Sequence, residues 1–166
     1  MIKILITFLL FVSIVYKSPT QGKVEAIDEF CKQIDNNKEF KPLHIDSYVY
    51  NKWKFRIGAS GETYYFVNDS ISKIEYYLRK GKHYDEYEFY FKKGKLIKSN
   101  FKTYDYRNDK EVNLKEYDFY FENKNLLQAS PESKKQQQQV NYILRQSSDL
   151  IDRGLEIIKD WPPNKK

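Results

Sequence analysis

The sequence predicts an α+β domain. It is an antiparallel β-meander of about six to eight strands, with an N-terminal helix and a long C-terminal helix covering one face. Three observations predict it. An aromatic hairpin pattern is written three times between Glu62 and Leu126. The segments on either side carry apolar residues at helical spacing. The chain also holds 15 Tyr and 11 Phe among 166 residues, far more than a disordered chain carries.

The repeat is explicit. Glu62-Thr-Tyr-Tyr-Phe-Val-Asn-Asp-Ser-Ile71 matches Tyr87-Glu-Phe-Tyr-Phe-Lys-Lys-Gly-Lys-Leu96, and both match Tyr117-Asp-Phe-Tyr-Phe-Glu-Asn-Lys-Asn-Leu126, at offsets of 25 and 30 residues. Asn68-Asp69, Lys93-Gly94 and Asn123-Lys124 supply turn chemistry at equivalent places. Each turn leads into a second strand, over 71–79, 95–106 and 126–129. Side chains alternate across a strand. One face therefore receives Tyr64 and Phe66, then Tyr87, Phe89 and Phe91, then Tyr117, Phe119 and Phe121. The other receives Thr63 and Tyr65, then Glu88, Tyr90 and Lys92, then Asp118, Tyr120 and Glu122. The first face reads as core and the second as wet.

Upstream, 43–50 and 53–57 also read as strands, with Pro42 at the entrance and Gly58–Gly61 as a loop. Residues 24–37 read as a helix with Val24, Ile27, Cys31 and Ile34 on one side. A second helix over 131–160 opens on Ser130 as N-cap and Pro131 at the first position. Its apolar stripe is Val140, Ile143, Leu144, Ile151, Leu155 and Ile158, and Pro162-Pro163 ends it after Trp161.

The first twenty residues have the order of a secretory signal: Lys3, an apolar run from Ile4 to Tyr16, then Ser18 and Thr20 before Gln21. The thirteen residues of that run, broken only by Thr7 and Ser13, span only about 20 Å as a helix, short of a bilayer core of roughly 30 Å. The expected organisation is a cleaved signal over 1–20, a single α+β domain over 21–163 and a frayed tail over 164–166, secreted or periplasmic, with no stable membrane insertion after cleavage. Cleavage removes Lys3 and Lys17, so 27 basic against 23 acidic residues leave a charge of +4. The charges are interspersed, which argues against a nucleic-acid partner.

The middle copy, Tyr90-Phe91-Lys92-Lys93-Gly94-Lys95-Leu96, resembles the Tyr-Phe-x-x-Gly-Lys-Leu hairpins of small exported bacterial domains of the PepSY-like or β-lactamase-inhibitor-protein-like type. The likeness covers roughly 62–128, and only this copy carries the glycine. It implies a helix packed across an antiparallel meander, and a domain that binds or inhibits other proteins rather than catalyses. It carries over no functional residue.

Catalytic patterns are sparse. His44 and His83 lie 39 residues apart, without metal-ligand spacing, so no metal and no cofactor are expected. Cys31, the single cysteine, cannot form an internal disulfide and reads as a buried small hydrophobe. The rival is a reactive thiol in a Cys–His dyad. Asp85/Glu86 and Glu116/Asp118 read as solvated charge rather than a glycosidase pair. Asn68-Asp69-Ser70 is a glycosylation triplet in a eukaryotic setting and a plain turn otherwise. The expected binding residues are Tyr65, Tyr90 and Tyr120, one ring per copy on the wet face. Such a platform would take a protein partner, as an inhibitor or immunity-type protein does, or, as the alternative, sugar rings of a carbohydrate or cell wall. A third reading is an enzyme with a cryptic site.

Overall fold

The computed structural model describes residues 18–40, 42–67, 69–108, 110–131 and 136–160. The expected signal core, Asn68 of the triplet, Glu132–Lys135, the Trp161-Pro-Pro stop and the tail lie outside the described residues. Helix α1 (Pro19–Asp35) is followed by seven strands: β1 (Leu43–Tyr50), β2 (Arg56–Val67), β3 (Ser70–Lys80), β4 (His83–Lys92), β5 (Lys95–Arg107), β6 (Lys110–Glu122) and β7 (Asn125–Ser130). Helix α2 (Gln136–Asp160) closes the order. The strands form one antiparallel sheet in chain order, a pure meander. The α+β architecture expected from the repeats is therefore present.

The three copies fold alike down to their irregularities. Each hairpin shifts register at its Tyr-Phe step: Tyr65/Phe66, Tyr90/Phe91 and Tyr120/Phe121. The extra residue on the return strand lets Phe66 pair with Ile71, Phe91 with Leu96 and Phe121 with Leu126. Lys93 and Gly94, and likewise Asn123 and Lys124, have positive φ. That is the twist of a tight two-residue hairpin turn.

The aromatic face is the main core. Tyr64, Ile74, Phe89, Phe119 and Phe121 are buried against Val140, Ile143 and Leu150 of α2, with Phe66 and Tyr117 packed at the edge. The line of α2 nearest the sheet is Val140, Ile143, Ser147, Leu150 and Gly154, while Leu155, expected in the stripe, is 42% exposed. Glu62 is buried on this face as well, accepting from the Tyr64 hydroxyl at 2.6 Å and paired with Arg153 of α2.

Local assignments change in three places. Residues 53–57 are expected as a strand, but only Arg56 and Ile57 are one, as the start of β2. Before them Asn51 accepts at Oδ1 from the backbone N–H groups of Trp53 (2.9 Å) and Phe55 (3.0 Å), which winds 51–55 into a turn. Gly58–Gly61, expected as a loop, continues β2, held on both sides by β1 and β3. Ser130, expected to cap α2, is the last residue of β7, opposite Asp118.

Helix α1 begins at Pro19, with the Ser18 hydroxyl accepting from the Gln21 N–H at 3.2 Å, earlier than the apolar spacing indicated. It does not join α2. It lies on the opposite, polar face, where Cys31 and Ile34 pack on Tyr90, with Ile27, Phe30, Phe40 and Ile97 around them.

Candidate functional site

The polar face of the sheet is built in rows, because pairing in register sets equivalent side chains side by side. One row runs Tyr65, Lys73, Tyr90, Lys98, Tyr120, Gln128. The next runs Thr63, Glu75, Glu88, Asn100, Asp118, Ser130. A third holds Gly61, Tyr77, Glu86, Lys102 and Glu116, and a fourth Ala59, Arg79, Tyr84 and Tyr104.

Helix α1 lies over the first row. Tyr90 and Tyr120 are 3% and 5% exposed, and Tyr65 is half-buried, with Phe40 edge-on at 5.9 Å. The expected wet platform is corrected accordingly: Tyr90 and Tyr120 seat a helix, and Tyr65 packs against Phe40 beyond its C-terminal end. Asp35 accepts from Tyr90 (3.1 Å) and pairs with Lys73 (2.9 Å). Asp28 accepts from Tyr120 (3.1 Å) and pairs with Lys98 (2.7 Å). Burial works against both ammonium charges. Glu88, Asp35 and Glu75 outweigh it at Lys73, and Asp28, Tyr120 and Asp118 outweigh it at Lys98, so both pKa values stand above the ordinary lysine value. Tyr65 is pushed up to about 12, by burial and by its hydrogen bond to Glu75 at 2.9 Å. Burial also raises Asp118, against the pull of Lys98.

The residues of the catalytic readings fall into ordinary pairings. Cys31 is buried and its thiol is pushed up to about 12 by burial, the opposite of an activated nucleophile. His44 contacts Thr63 (2.8 Å) and Asp46 (3.1 Å). His83 contacts Asp105 (3.1 Å) and Asp85 (3.3 Å). Asp85 and Glu86, neighbours in β4, project to opposite faces, and Glu86 accepts from the Tyr104 hydroxyl at 2.6 Å. Among the described residues no group of three or more His, Cys, Asp or Glu side chains is arranged so that it could hold a metal ion.

What α1 leaves uncovered is the rest of this face. A trough of about 470 Å³ is lined by Ala59, Thr63, Glu75, Tyr77, Arg79, Tyr84 and Glu86. A second of about 550 Å³ continues past Glu86 and Glu88 to Asn100, Lys102, Glu116 and Asp118. The small residues of β2 make its low edge. A Cβ at Gly61 would enter the Tyr77 ring and one at Gly58 would strike the Arg79 carbonyl, so both positions need glycine for close approach. Tyr77 is anchored by its hydrogen bond to Asp46 (2.8 Å). Tyr84 stacks on Tyr104 at 5.1 Å, with the Arg79 guanidinium 5.3 Å from its centroid. These rings were not singled out by the repeat, because they lie outside its three copies. The signal available was alternation carried further along the same strands. The arrangement offers rigid aromatic walls and both signs of charge, which suits recognition of a polypeptide. No family model matches the chain, and the comparisons with curated proteins and with solved structures likewise give no match.

Proposed function

We propose that the protein is an exported, non-enzymatic binding domain that takes a protein partner on the part of the polar sheet face that α1 leaves open, as an inhibitor or immunity-type protein would. The observation that carries this reading is the trough beside α1, where Tyr77, Tyr84 and Arg79 stand over the small residues of β2. Tyr and Arg are the residue types that dominate binding energy at protein interfaces. The inert Cys31 and the ordinary pairings of both histidines add support. So does the resemblance of the hairpin pattern to domains that bind or inhibit proteins.

The test is capture of partners from the native extracellular or periplasmic fraction by the wild type and by two surface variants, A59R and R79S/Y84S. The first fills the trough and the second strips its wall. Each variant is expected to fold and to lose the captured protein, with affinity falling on the order of 100-fold. Equal capture by all three would overturn the reading. So would retention on insoluble polysaccharide with no protein captured, which would point to a carbohydrate module.

A further inference from the structure

The β1–β2 hairpin end carries a surface that the trough does not use. Five of the ten exposed large hydrophobic side chains among the described residues fall between positions 48 and 57. They are Tyr48 (58%), Tyr50 (56%), Trp53 (69%), Phe55 (70%) and Ile57 (41%). Interleaved with them are Lys52, Lys54 and Arg56, and no Asp or Glu occurs from Ser47 to Gly61. The turn is built rather than loose. Asn51 Oδ1 holds the Trp53 and Phe55 amides, Lys54 N–H donates to the Asn51 carbonyl at 2.9 Å, and Lys54 has a φ of 62°. The end also projects. The last β2–β3 pair is Gly58 with Lys80, so residues 50–57 run past the edge of β3.

We infer that this hairpin end settles on an anionic lipid surface. A protein partner would have to enclose a convex tip and desolvate two lysines, a residue type depleted from protein interfaces. A headgroup layer imposes neither requirement. It accepts Trp, Tyr and Phe rings at the boundary between polar and apolar regions, and its phosphates draw basic side chains beside them. Ring insertion and basic attraction together make the two signals that stable peripheral binding needs. Nothing in this contact spans the bilayer, and among the described residues no helix is long and apolar enough to do so.

The experiment uses the full domain with Trp161 replaced by Phe, leaving Trp53 as the single tryptophan. Vesicles of phosphatidylcholine alone, or mixed with phosphatidylserine, are titrated in. The expected result is a blue shift of Trp53 emission and co-sedimentation with the serine-containing vesicles only, both weakening as salt is raised. The triple variant K52Q/K54Q/R56Q should bind on the order of 100-fold more weakly, roughly fivefold per cation. W53S/F55S should not bind, and both should keep the unfolding temperature of the parent. Absence of a shift with either vesicle overturns the inference, as does serine-lipid binding undiminished in both variants. Loss of a captured protein partner in W53S/F55S, without vesicle binding by the parent, also overturns it and assigns the tip to a protein interface. Failure here leaves the trough experiment standing on R79S/Y84S, which does not touch the tip, whereas Ala59 pairs with Tyr48.

Discussion

Asp28 and Asp35 hold α1 in place through unequal settings. The Lys73 ammonium has three carboxylates, Asp35, Glu75 and Glu88, at 2.9, 2.9 and 3.0 Å. The Lys98 side chain, 12% exposed, is paired with Asp28 at 2.7 Å, and Asp118 is the one other carboxylate acting on it among the described residues. Removing one partner of a largely buried pair strands the other charge. Asp28→Asn is therefore expected to destabilise by about 2 kcal/mol, and Asp35→Asn by less than about 1 kcal/mol, because Lys73 keeps two carboxylates. Chemical denaturation of the two variants checks the order; equal losses would contradict it. Cys31 makes a second prediction at this scale. Its thiol is pushed up to about 12 and lies under α1, so a thiol reagent at neutral pH should label it only on the timescale of α1 opening or global unfolding. Fast native labelling would revive a reactive-thiol role.

At the scale of elements, α1 and the hairpins share a repeat length. Asp28 and Asp35 are seven residues apart, about 10.5 Å along a helix, and the Lys–Tyr pairs they meet are two strands apart, about 9.6 Å across a sheet. The helix can cross the strands and meet one pair per hairpin. On the other face, α2 approaches most closely at Gly154. A Cβ there would stand 2.6 Å from Ile71 Cδ1 and 2.6 Å from Tyr64 Cε1. Tyr64 is fully buried and tied to Glu62, so it cannot swing aside. Gly154→Ala gains about 1 kcal/mol in helix propensity but overpacks at a cost of about 1–3 kcal/mol. The expected net effect is a lower unfolding temperature. A rise would mean that α2 can shift outward without loss.

For the whole molecule, the distinguishing feature is the number of tyrosines whose ionisation folding opposes. Burial raises Tyr64, Tyr87 and Tyr90 above the ordinary value of 10.0 and brings Tyr76 up to about 12. Lys73 and Lys98 are raised above 10.5. A group that binds its proton more tightly when folded contributes stability in full below its unfolded pKa, and that contribution is lost as pH rises toward the folded value. Tyrosines and lysines act in the same direction here. Stability should hold up to about pH 10 and fall steeply between about pH 10 and 12. Tyrosinate absorbance from the buried rings should rise together with loss of ellipticity in one cooperative step. Independent titration of most rings before unfolding would contradict this.

Much of the fold was legible because period-two alternation and turn chemistry are local. Phe66, Phe91 and Phe121 point to the core, and the turns at Lys93-Gly94 and Asn123-Lys124 fall at the places the repeat assigned. The placement of α1 was not legible. Val24, Ile27, Cys31 and Ile34 form a stripe that fits either face, while the partners that decide between faces lie 38 residues away at Lys73 and 92 at Tyr120. Only the folded chain brings those groups together, and by doing so it turns Tyr90 and Tyr120 from an open surface into a seat, with Tyr65 under Phe40 beside them. The trough and the projecting tip are likewise products of assembly. One is what α1 fails to cover, and the other is where a side-chain-stitched turn carries Trp53 and Phe55 beyond the neighbouring strand. Local pattern sets which side of each strand is greasy; long-range charge pairing and helix length set which surfaces remain open to a partner.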